Sequence, residues 1–337
     1  MCHRPDVKDR TKPREDKRDV FISKEVDMGE PILRKHMPEL DSLRGIAILA
    51  VLFYHGFAWS YGRNAVAGIP KLFIYATVPG WMGVNLFFVL SGFLITGILV
   101  DSRAKPHYYR DFYIRRSLRI LPAYYAILAI LFLFGQARWP FLTISFFYMA
   151  NMGPLFGIPT DYEVLWSLAV EEQFYLMWPA GVKQLSTRTL DIVAWSVVLA
   201  TPLIRLVAYL SGHEVGLASY TWCVADSLAA GAILALAIRK GNVTRRRLLR
   251  IAVGVLALSV LILLVGARFG VLTRARALGA ALQLTQINLA CSAVLSFVIL
   301  AGTNSWLKAI CSATHIAILR KYKLRTVLSA SSCLQTI

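Results

Sequence analysis

Apolar stretches of membrane-spanning length recur along the chain and alternate with polar segments. These stretches fall at residues 43–59, 81–100, 120–136, 141–155, 164–182, 191–210, 221–238, 251–267 and 278–301. A helix needs about 20 mostly apolar residues to cross about 30 Å of hydrocarbon. The pattern therefore predicts an all-α protein, a polytopic transmembrane helix bundle in which about 8–9 apolar segments are present.

The basic residues lie mainly in the segments between the apolar stretches. They concentrate at residues 1–37, 101–119 and 239–250, and segments rich in Lys and Arg face the cytoplasm. We therefore expect a cytoplasmic N-terminus. Five apolar segments separate the last two basic segments, although a return to the same side of the membrane needs an even number of crossings. Residues 141–155 are about five residues shorter than a span, so we predict a re-entrant or partial helix there.

Composition places the chain among membrane proteins, with 57% hydrophobic residues and a formal net charge of +18. Membrane lipids are therefore the expected surroundings. We expect no nucleic-acid partner, because no basic face carries the interleaved aromatic residues that stack on bases. The five cysteines show no CxxC spacing, so we expect neither a disulfide framework nor a metal site.

The first cluster of candidate functional residues lies on the first predicted span. Asp41 and Arg44 are three residues apart and can pair on one helix face. Arg44 and His55 lie about three turns apart on the same face, with a rise of ~16 Å between them. An ionisable group deep in a membrane is costly, which favours a functional role for His55. The alternative is a packing histidine that is hydrogen-bonded to a neighbouring helix.

The second cluster is the pair Arg116 and Arg119, which share a helix face within the segment YIRRSLRILP. Two guanidinium groups at a cytoplasmic membrane surface can clamp a phosphate group, because arginine binds phosphate through two parallel hydrogen bonds. The alternative is that this segment binds lipid headgroups, as basic cytoplasmic loops commonly do.

The third cluster lies in the segment LWSLAVEEQFYLMWP. Ser167, Glu171 and Tyr175 recur at helical spacing and predict a polar lining on one helix face. A carboxylate within an apolar run is costly and needs a partner. The alternative to a functional lining is an ion pair of Glu171 with Arg205 or with the second cluster, which would only hold helices together.

These clusters combine a histidine, phosphate-binding arginines and carboxylates near one membrane. The inventory suits transfer of an acyl group from a phosphate-bearing carrier to a hydroxyl, which histidine can deprotonate. Four segments, PELDSLRGIAILAVLFYHG, GVNLFFVLSGFLI, YIRRSLRILPAYY and LWSLAVEEQFYLMWP, occur in order over residues 38–180. Together they resemble the successive signatures of the acyltransferase-3 family of integral membrane acyltransferases.

The resemblance implies a bundle of about ten helices that acylates sugars or lipids at the membrane. It implies acetyl-CoA or another acyl-CoA as co-substrate, no permanently bound cofactor, and a cell-surface polysaccharide or lipid-linked glycan as acceptor. We expect a multi-pass protein of the bacterial inner membrane. The roles implied for the residues are as follows: His55 and Glu171 are catalytic, with His55 as general base or transient acyl carrier; Arg44, Arg116 and Arg119 bind the acyl donor; Asp41, Ser167 and Tyr175 support them.

Three parts are therefore predicted: a basic cytoplasmic tail at 1–37, a transmembrane acyltransferase domain at 38–302, and an atypical segment at 303–337. Members of the family usually end with a GxxSYxxYxxH-like segment and further spans, which have no counterpart after about residue 302. The last segment is therefore either a cytoplasmic tail or, as we favour, the product of a truncated or frame-shifted reading frame.

Two rival functions remain open on the sequence. A transporter or flippase would use the intramembrane His and Glu residues to relay protons, and internal inverted repeats, which are not found here, would favour it. The other rival is an inactive remnant of an acyltransferase that lacks its last helices.

Overall fold

Ten α-helices form the described part of the chain. The structure is a computed structural model that describes residues 32–33, 37–59, 71–241, 243–271, 273 and 275–301, in which no β-strand occurs. The helices are α1 (Pro38–Phe53), α2 (Lys71–Thr77), α3 (Gly83–Ser102), α4 (Tyr108–Leu133), α5 (Trp139–Phe146), α6 (Val164–Gln184), α7 (Thr187–Leu210), α8 (Thr221–Arg239), α9 (Arg245–Phe269) and α10 (Ala277–Ala301). The predicted segment 303–337 and nearly all of the predicted tail 1–37 lie outside the described residues.

Seven helical segments in the described ranges are long and apolar enough to cross a membrane. They contain α1, α3, α4, α7, α8, α9 and α10. Helix α6, of 21 residues, is an eighth long helix and carries the adjacent carboxylates Glu171 and Glu172. The prediction of an all-α polytopic bundle is confirmed, and the protein is a multi-pass membrane protein.

The short apolar stretch at 141–155 does not form a long helix. It folds into the eight-residue helix α5 and a 3-10 helix at Ala150–Phe156. This agrees with the prediction of a partial helix. Four long helices, α4, α6, α7 and α8, then separate the two basic segments, and an even number removes the conflict seen in the sequence.

The predicted basic loop at 101–119 is shorter than expected, because α4 already begins at Tyr108. Arg116 and Arg119 therefore lie on the third and fourth turns of a helix, and Pro122 is interior to that helix. Hydropathy locates the apolar part of a helix but not its polar extension, since basic side chains are compatible with helical backbone outside the hydrocarbon.

The ends of several long helices are tied together at one end of the bundle, which we call the basic end. Arg239 of α8 forms an ion pair with Asp101 of α3 at 2.7 Å, and Lys240 pairs with Asp191 of α7. Arg103 donates to the carbonyl of Leu185 after α6 at 2.5 Å. The chain leaves this end along α1 and α4, so their C-terminal ends lie at the opposite end, which we call the cavity end.

Helix α3 is central and packs closely against α8 through two glycines. A Cβ atom at Gly92 would lie 2.0 Å from the carbonyl oxygen of Leu228, and one at Gly231 would lie 2.0 Å from that of Val89. Neither position has room for any side chain. Small residues allow membrane helices to approach in this way.

Candidate functional site

Helix α1 presents the first candidate residues towards α3. Arg44 and Asp41 form the predicted pair, with 3.8 Å between their charged atoms. The Arg44 side chain is only 19% exposed, and its guanidinium carbon lies 5.7 Å from the centre of the Phe87 ring. Arg44 is therefore held inside the bundle rather than at its surface.

His55 lies where α1 changes to a π-helical turn at Tyr54–Trp59. Such turns are frequent at functional sites. The Nδ1 atom of His55 is 2.9 Å from the carbonyl oxygen of Val51 in the same helix. A carbonyl only accepts, so Nδ1 carries the hydrogen and the lone pair of the neutral ring is on Nε2. The backbone of α1 thus fixes the tautomer that a base acting through Nε2 requires.

A cavity of about 640 Å³ opens beside His55 at the cavity end of the bundle. The beginnings of α3, α6 and α10 and the loops before α6 and α8 surround it. Its lining combines aromatic, amide and carboxylate side chains, among them Trp59, Trp81, Trp166, Asn85, Asn151, Glu163 and Glu214. Cavities of this size with a few polar groups are typical of small-molecule sites.

A second polar site lies between α3, α4 and α6. Glu171 is buried and accepts a hydrogen bond of 2.5 Å from the hydroxyl of Ser91. The guanidinium carbon of Arg116 lies 3.7 Å from the centre of the Tyr175 ring, which is a close cation–π contact. Tyr175 is itself buried.

Arg44 joins this site from α1. It lies within electrostatic reach of Arg119, Tyr175 and Glu171. We call Arg44, Arg116, Arg119, Glu171 and Tyr175, together with Ser91, the central charge cluster. The structure therefore brings together residues from all three clusters predicted from the sequence, and adds Ser91 of α3.

The central charge cluster has unsatisfied hydrogen-bonding capacity. Among the described residues, the buried Nε atoms of Arg44 and Arg116 and the buried Oε1 atom of the adjacent Glu172 have no hydrogen-bond partner. Buried polar atoms are normally paired. Unpaired donors on two converging arginines are what an anionic substrate group would satisfy.

Two predicted residues lie apart from this cluster. His55 lines the cavity, about three turns along α1 from Arg44. Ser167 donates to the carbonyl of Val164 in its own helix at 3.1 Å and does not line the cavity. Its supporting role stays a prediction.

The suggestion that Arg205 pairs with Glu171 is wrong, because Arg205 has another partner. It forms an ion pair with Asp226 of α8 at 3.1 Å, and both side chains are almost fully buried. Arg205 also donates to the carbonyls of Ala281 and Cys223, at 3.0 and 2.6 Å, and to Thr285. The lone acidic residue in the apolar run of α8 was the signal for this pair.

A further polar network, which sequence reasoning did not predict, fixes the floor of the cavity. The side-chain amide of Gln173 donates to Asn151 at 3.0 Å and to the carbonyl of Tyr148 at 2.8 Å. Asn151 donates to Thr221 at the start of α8 at 2.9 Å. The 3-10 helix at Ala150–Phe156 is thereby attached to both α6 and α8.

Sequence comparison with known proteins identifies relatives of this chain. The chain is 36% identical over 167 residues to the peptidoglycan O-acetyltransferase OatA of Listeria monocytogenes, covering 44% of this chain and 24% of that protein. It is 34% identical over 210 residues to the putative peptidoglycan O-acetyltransferase YrhL of Bacillus subtilis, covering 53% and 30%. The O-acetyltransferase OatA of Staphylococcus aureus is 31% identical over 170 residues, covering 43% and 24%.

The aligned regions thus span less than a third of the length of these relatives. No solved structure matches the chain. The family profile described as an acyltransferase domain matches residues 37–319. That match extends beyond residue 302, so the predicted domain boundary there stays a prediction. The resemblance seen in the four motifs is confirmed: the chain belongs to the acyltransferase-3 family and carries its acyltransferase domain.

Proposed function

We propose that this protein is a membrane-bound O-acetyltransferase that moves an acetyl group from acetyl-CoA to a hydroxyl of a cell-surface polysaccharide or lipid-linked glycan. The observation that carries the proposal is the position of His55. It lines a cavity at one end of the bundle, with its Nδ1 occupied by the backbone, and lies on the same helix as Arg44 of the central charge cluster.

The central charge cluster is the proposed donor site. Arg44, Arg116 and Arg119 would hold the phosphates of CoA, since guanidinium groups bind phosphate through paired hydrogen bonds. Glu171, buried beside them and hydrogen-bonded to Ser91, would balance the positive charge and keep the arginines in place. The ~16 Å between Arg44 and His55 along α1 matches the order of magnitude of a pantetheine arm.

The proposed reaction takes place at Nε2 of His55. As general base, Nε2 takes the proton of the acceptor hydroxyl while the oxygen attacks the thioester carbonyl carbon. The carbon–sulfur bond then breaks, and the proton passes to the CoA thiolate, which leaves as thiol. In the carrier route, Nε2 attacks the thioester carbonyl carbon, the carbon–sulfur bond breaks and CoA leaves as thiolate. The acceptor oxygen then attacks the acetyl carbon, the bond to Nε2 breaks, and the hydroxyl proton passes to the CoA thiolate. Both routes need the lone pair on Nε2.

The acceptor would enter the cavity from the side opposite the basic end. Two of the relatives are named for O-acetylation of peptidoglycan, one of them as a putative enzyme, which supports a glycan as the acceptor class. Segments rich in Lys and Arg lie at the basic end, so the N-terminus and the donor site would face the cytoplasm. The cavity would then face outward from the bacterial inner membrane.

The test is acetyl transfer by membranes that contain the full chain, with radiolabelled acetyl-CoA and a lipid-linked glycan extract. The His55→Ala variant should lose transfer about 100-fold or more, as expected for loss of a general base or carrier. The control is His213→Gln, since His213 is exposed in a loop at the same end and does not line the cavity. Transfer that persists in His55→Ala while both variants purify as folded protein contradicts the proposal.

A further inference from the structure

The charge of the cavity differs in sign from that of the chain. The chain has a formal net charge of +18, yet the cavity is lined by Glu163 and Glu214 and, among the described residues, by no Arg or Lys. Both carboxylates are exposed, Glu163 before α6 and Glu214 in the loop before α8. A ligand that enters therefore approaches two negative charges.

Among the described residues, the arginines of the central charge cluster, Arg138 and the exposed Arg276 before α10 carry positive charge but do not line the cavity. Arg44 of the central charge cluster lies ~16 Å along α1 from His55, and no arginine of the cluster lines the cavity. Arg138 at this end of the bundle donates to Asp161 and is thereby neutralised.

The rest of the lining fits a sugar. Trp59, Trp81 and Trp166 offer flat apolar faces, and the amide oxygens of Asn85 and Asn151 are acceptors for hydroxyl groups in the same lining. Asn85 is fixed by a hydrogen bond of 2.7 Å to Asn288, and Asn151 is fixed by the network of Gln173. Apolar walls with a few oriented polar groups set both affinity and specificity in small-molecule sites.

We infer that this cavity selects the acceptor by charge: it accepts a neutral or amine-bearing sugar and rejects one that carries a carboxylate or phosphate next to the reacting hydroxyl. The inference rests on the proposed function, because it assigns the acceptor to this cavity. Its physical basis is repulsion of an anion by Glu163 and Glu214 and attraction of an ammonium group, with no compensating cation in the described lining.

The experiment measures binding without the donor, so that it does not depend on transfer. The full chain in detergent is equilibrated at pH 7 with three radiolabelled disaccharides: N,N′-diacetylchitobiose, its doubly deacetylated amine form, and a matched disaccharide that contains glucuronic acid. Binding should be strongest for the amine and weakest for the acid, with about a tenfold difference between neutral and acidic sugars.

The Glu163→Gln/Glu214→Gln double variant should remove this order, since it keeps the shape of the side chains and removes both charges. The control is Asp111→Asn, which removes a charge at the basic end of α4 and should leave the order unchanged. The inference is overturned if the acidic sugar binds as well as the neutral one, if the double variant keeps the order, or if none of the three sugars binds.

Acetyl transfer to the same sugars separates this inference from the proposed function. If binding follows the charge order but no sugar is acetylated, the proposed function fails and the inference stands as a description of the site. If sugars are acetylated by a reaction that needs His55 but regardless of charge, the proposed function stands and the inference fails.

Discussion

Two groups of buried charges in the same bundle differ in how completely they are paired. Arg205 and Asp226 satisfy each other between α7 and α8, and two carbonyls and Thr285 take up further donors of the arginine. In the central charge cluster, the buried Nε atoms of Arg44 and Arg116 have no hydrogen-bond partner among the described residues. Both groups incur the desolvation cost of burial, but only the first recovers it within the protein.

The difference separates architecture from function. A closed network such as that of Arg205 holds three helices at a fixed distance and leaves nothing for a ligand to bind. An open cluster of arginines and carboxylates is stable only if water or a substrate completes it. Charge content alone does not distinguish the two groups, whereas the hydrogen-bond partners of their arginines do. Variants in each group should therefore affect different properties.

The largest effect should come from breaking the closed pair. Asp226→Ala leaves the guanidinium of Arg205 buried without its counter-charge, and loss of one partner of a buried pair costs about 3–5 kcal/mol. We expect a strongly lowered unfolding temperature in detergent, measured by thermal unfolding of the purified chain. The double variant Arg205→Met/Asp226→Leu removes both charges and should recover most of the stability. A single variant as stable as the native chain would show that the pair is not structural.

The sequence located the helices of this bundle better than their contacts. The apolar run at 221–238 corresponds to α8 at Thr221–Arg239, because hydropathy reports directly which residues suit a lipid environment. The partner of Arg205 could not be predicted in the same way. It depends on the rotation of α7 relative to α8, and an apolar helix carries almost no periodic signal that would fix its rotation.

Of the candidate site, the charge cluster could be predicted from the sequence and the cavity could not. The motifs predicted that Arg44, Arg116 and Glu171 belong together, and the structure places them in one cluster. The cavity beside His55 was not predicted, because loops and helix ends far apart in the chain form it. Local spacing along a helix can be read from sequence, whereas a cavity is a property of tertiary packing.

An intermediate effect, on substrate affinity rather than stability, should come from the open cluster. Arg116→Gln removes a guanidinium whose Nε atom is buried and unpaired, so no hydrogen bond of that atom is lost and the intramolecular loss is the contact with the Tyr175 ring. The KM for acetyl-CoA should rise about 10–100-fold, the usual range for loss of a hydrogen bond between charged groups. Steady-state transfer at varied acetyl-CoA measures this, and the unfolding temperature should change little.

Arg115→Gln is the matched control for this variant. Arg115 neighbours Arg116 in the same helix, but its side chain is 77% exposed and interacts only weakly with Asp111 at 3.5 Å. The KM of the Arg115→Gln variant for acetyl-CoA should equal that of the native chain. Equal KM values for Arg116→Gln and Arg115→Gln would mean that general positive charge, not the central charge cluster, attracts the donor.

The smallest effect should come from an ion pair in which the arginine stays largely in contact with solvent. Arg138 and Asp161 pair in the loops at the cavity end, with the Arg138 side chain 55% exposed. The carboxylate of Asp161 also accepts from the backbone N–H of Arg138 at 2.7 Å, at the start of α5. The hydrogen bonds from Arg138 hold the pKa of Asp161 below its usual value. The pair therefore stabilises the fold above the ordinary pKa of Asp, about 4, and this stabilisation is lost as the pH falls through the lowered pKa.

Asp161→Asn tests how much this ion pair stabilises the fold, because it removes the titrating charge and keeps one oxygen for the N–H of Arg138. Near pH 7 the unfolding temperature should fall by about 2 °C at most, since exposed pairs contribute little. Below about pH 4 the difference from the native chain should shrink, because Asp161 becomes protonated near that pH in the unfolded chain and, at a lower pH, in the folded chain. Thermal unfolding of both chains between pH 3 and pH 7 measures the difference. A loss as large as that of Asp226→Ala would mean that burial does not set the strength of these pairs, and the contrast between the closed and open clusters would then need another cause.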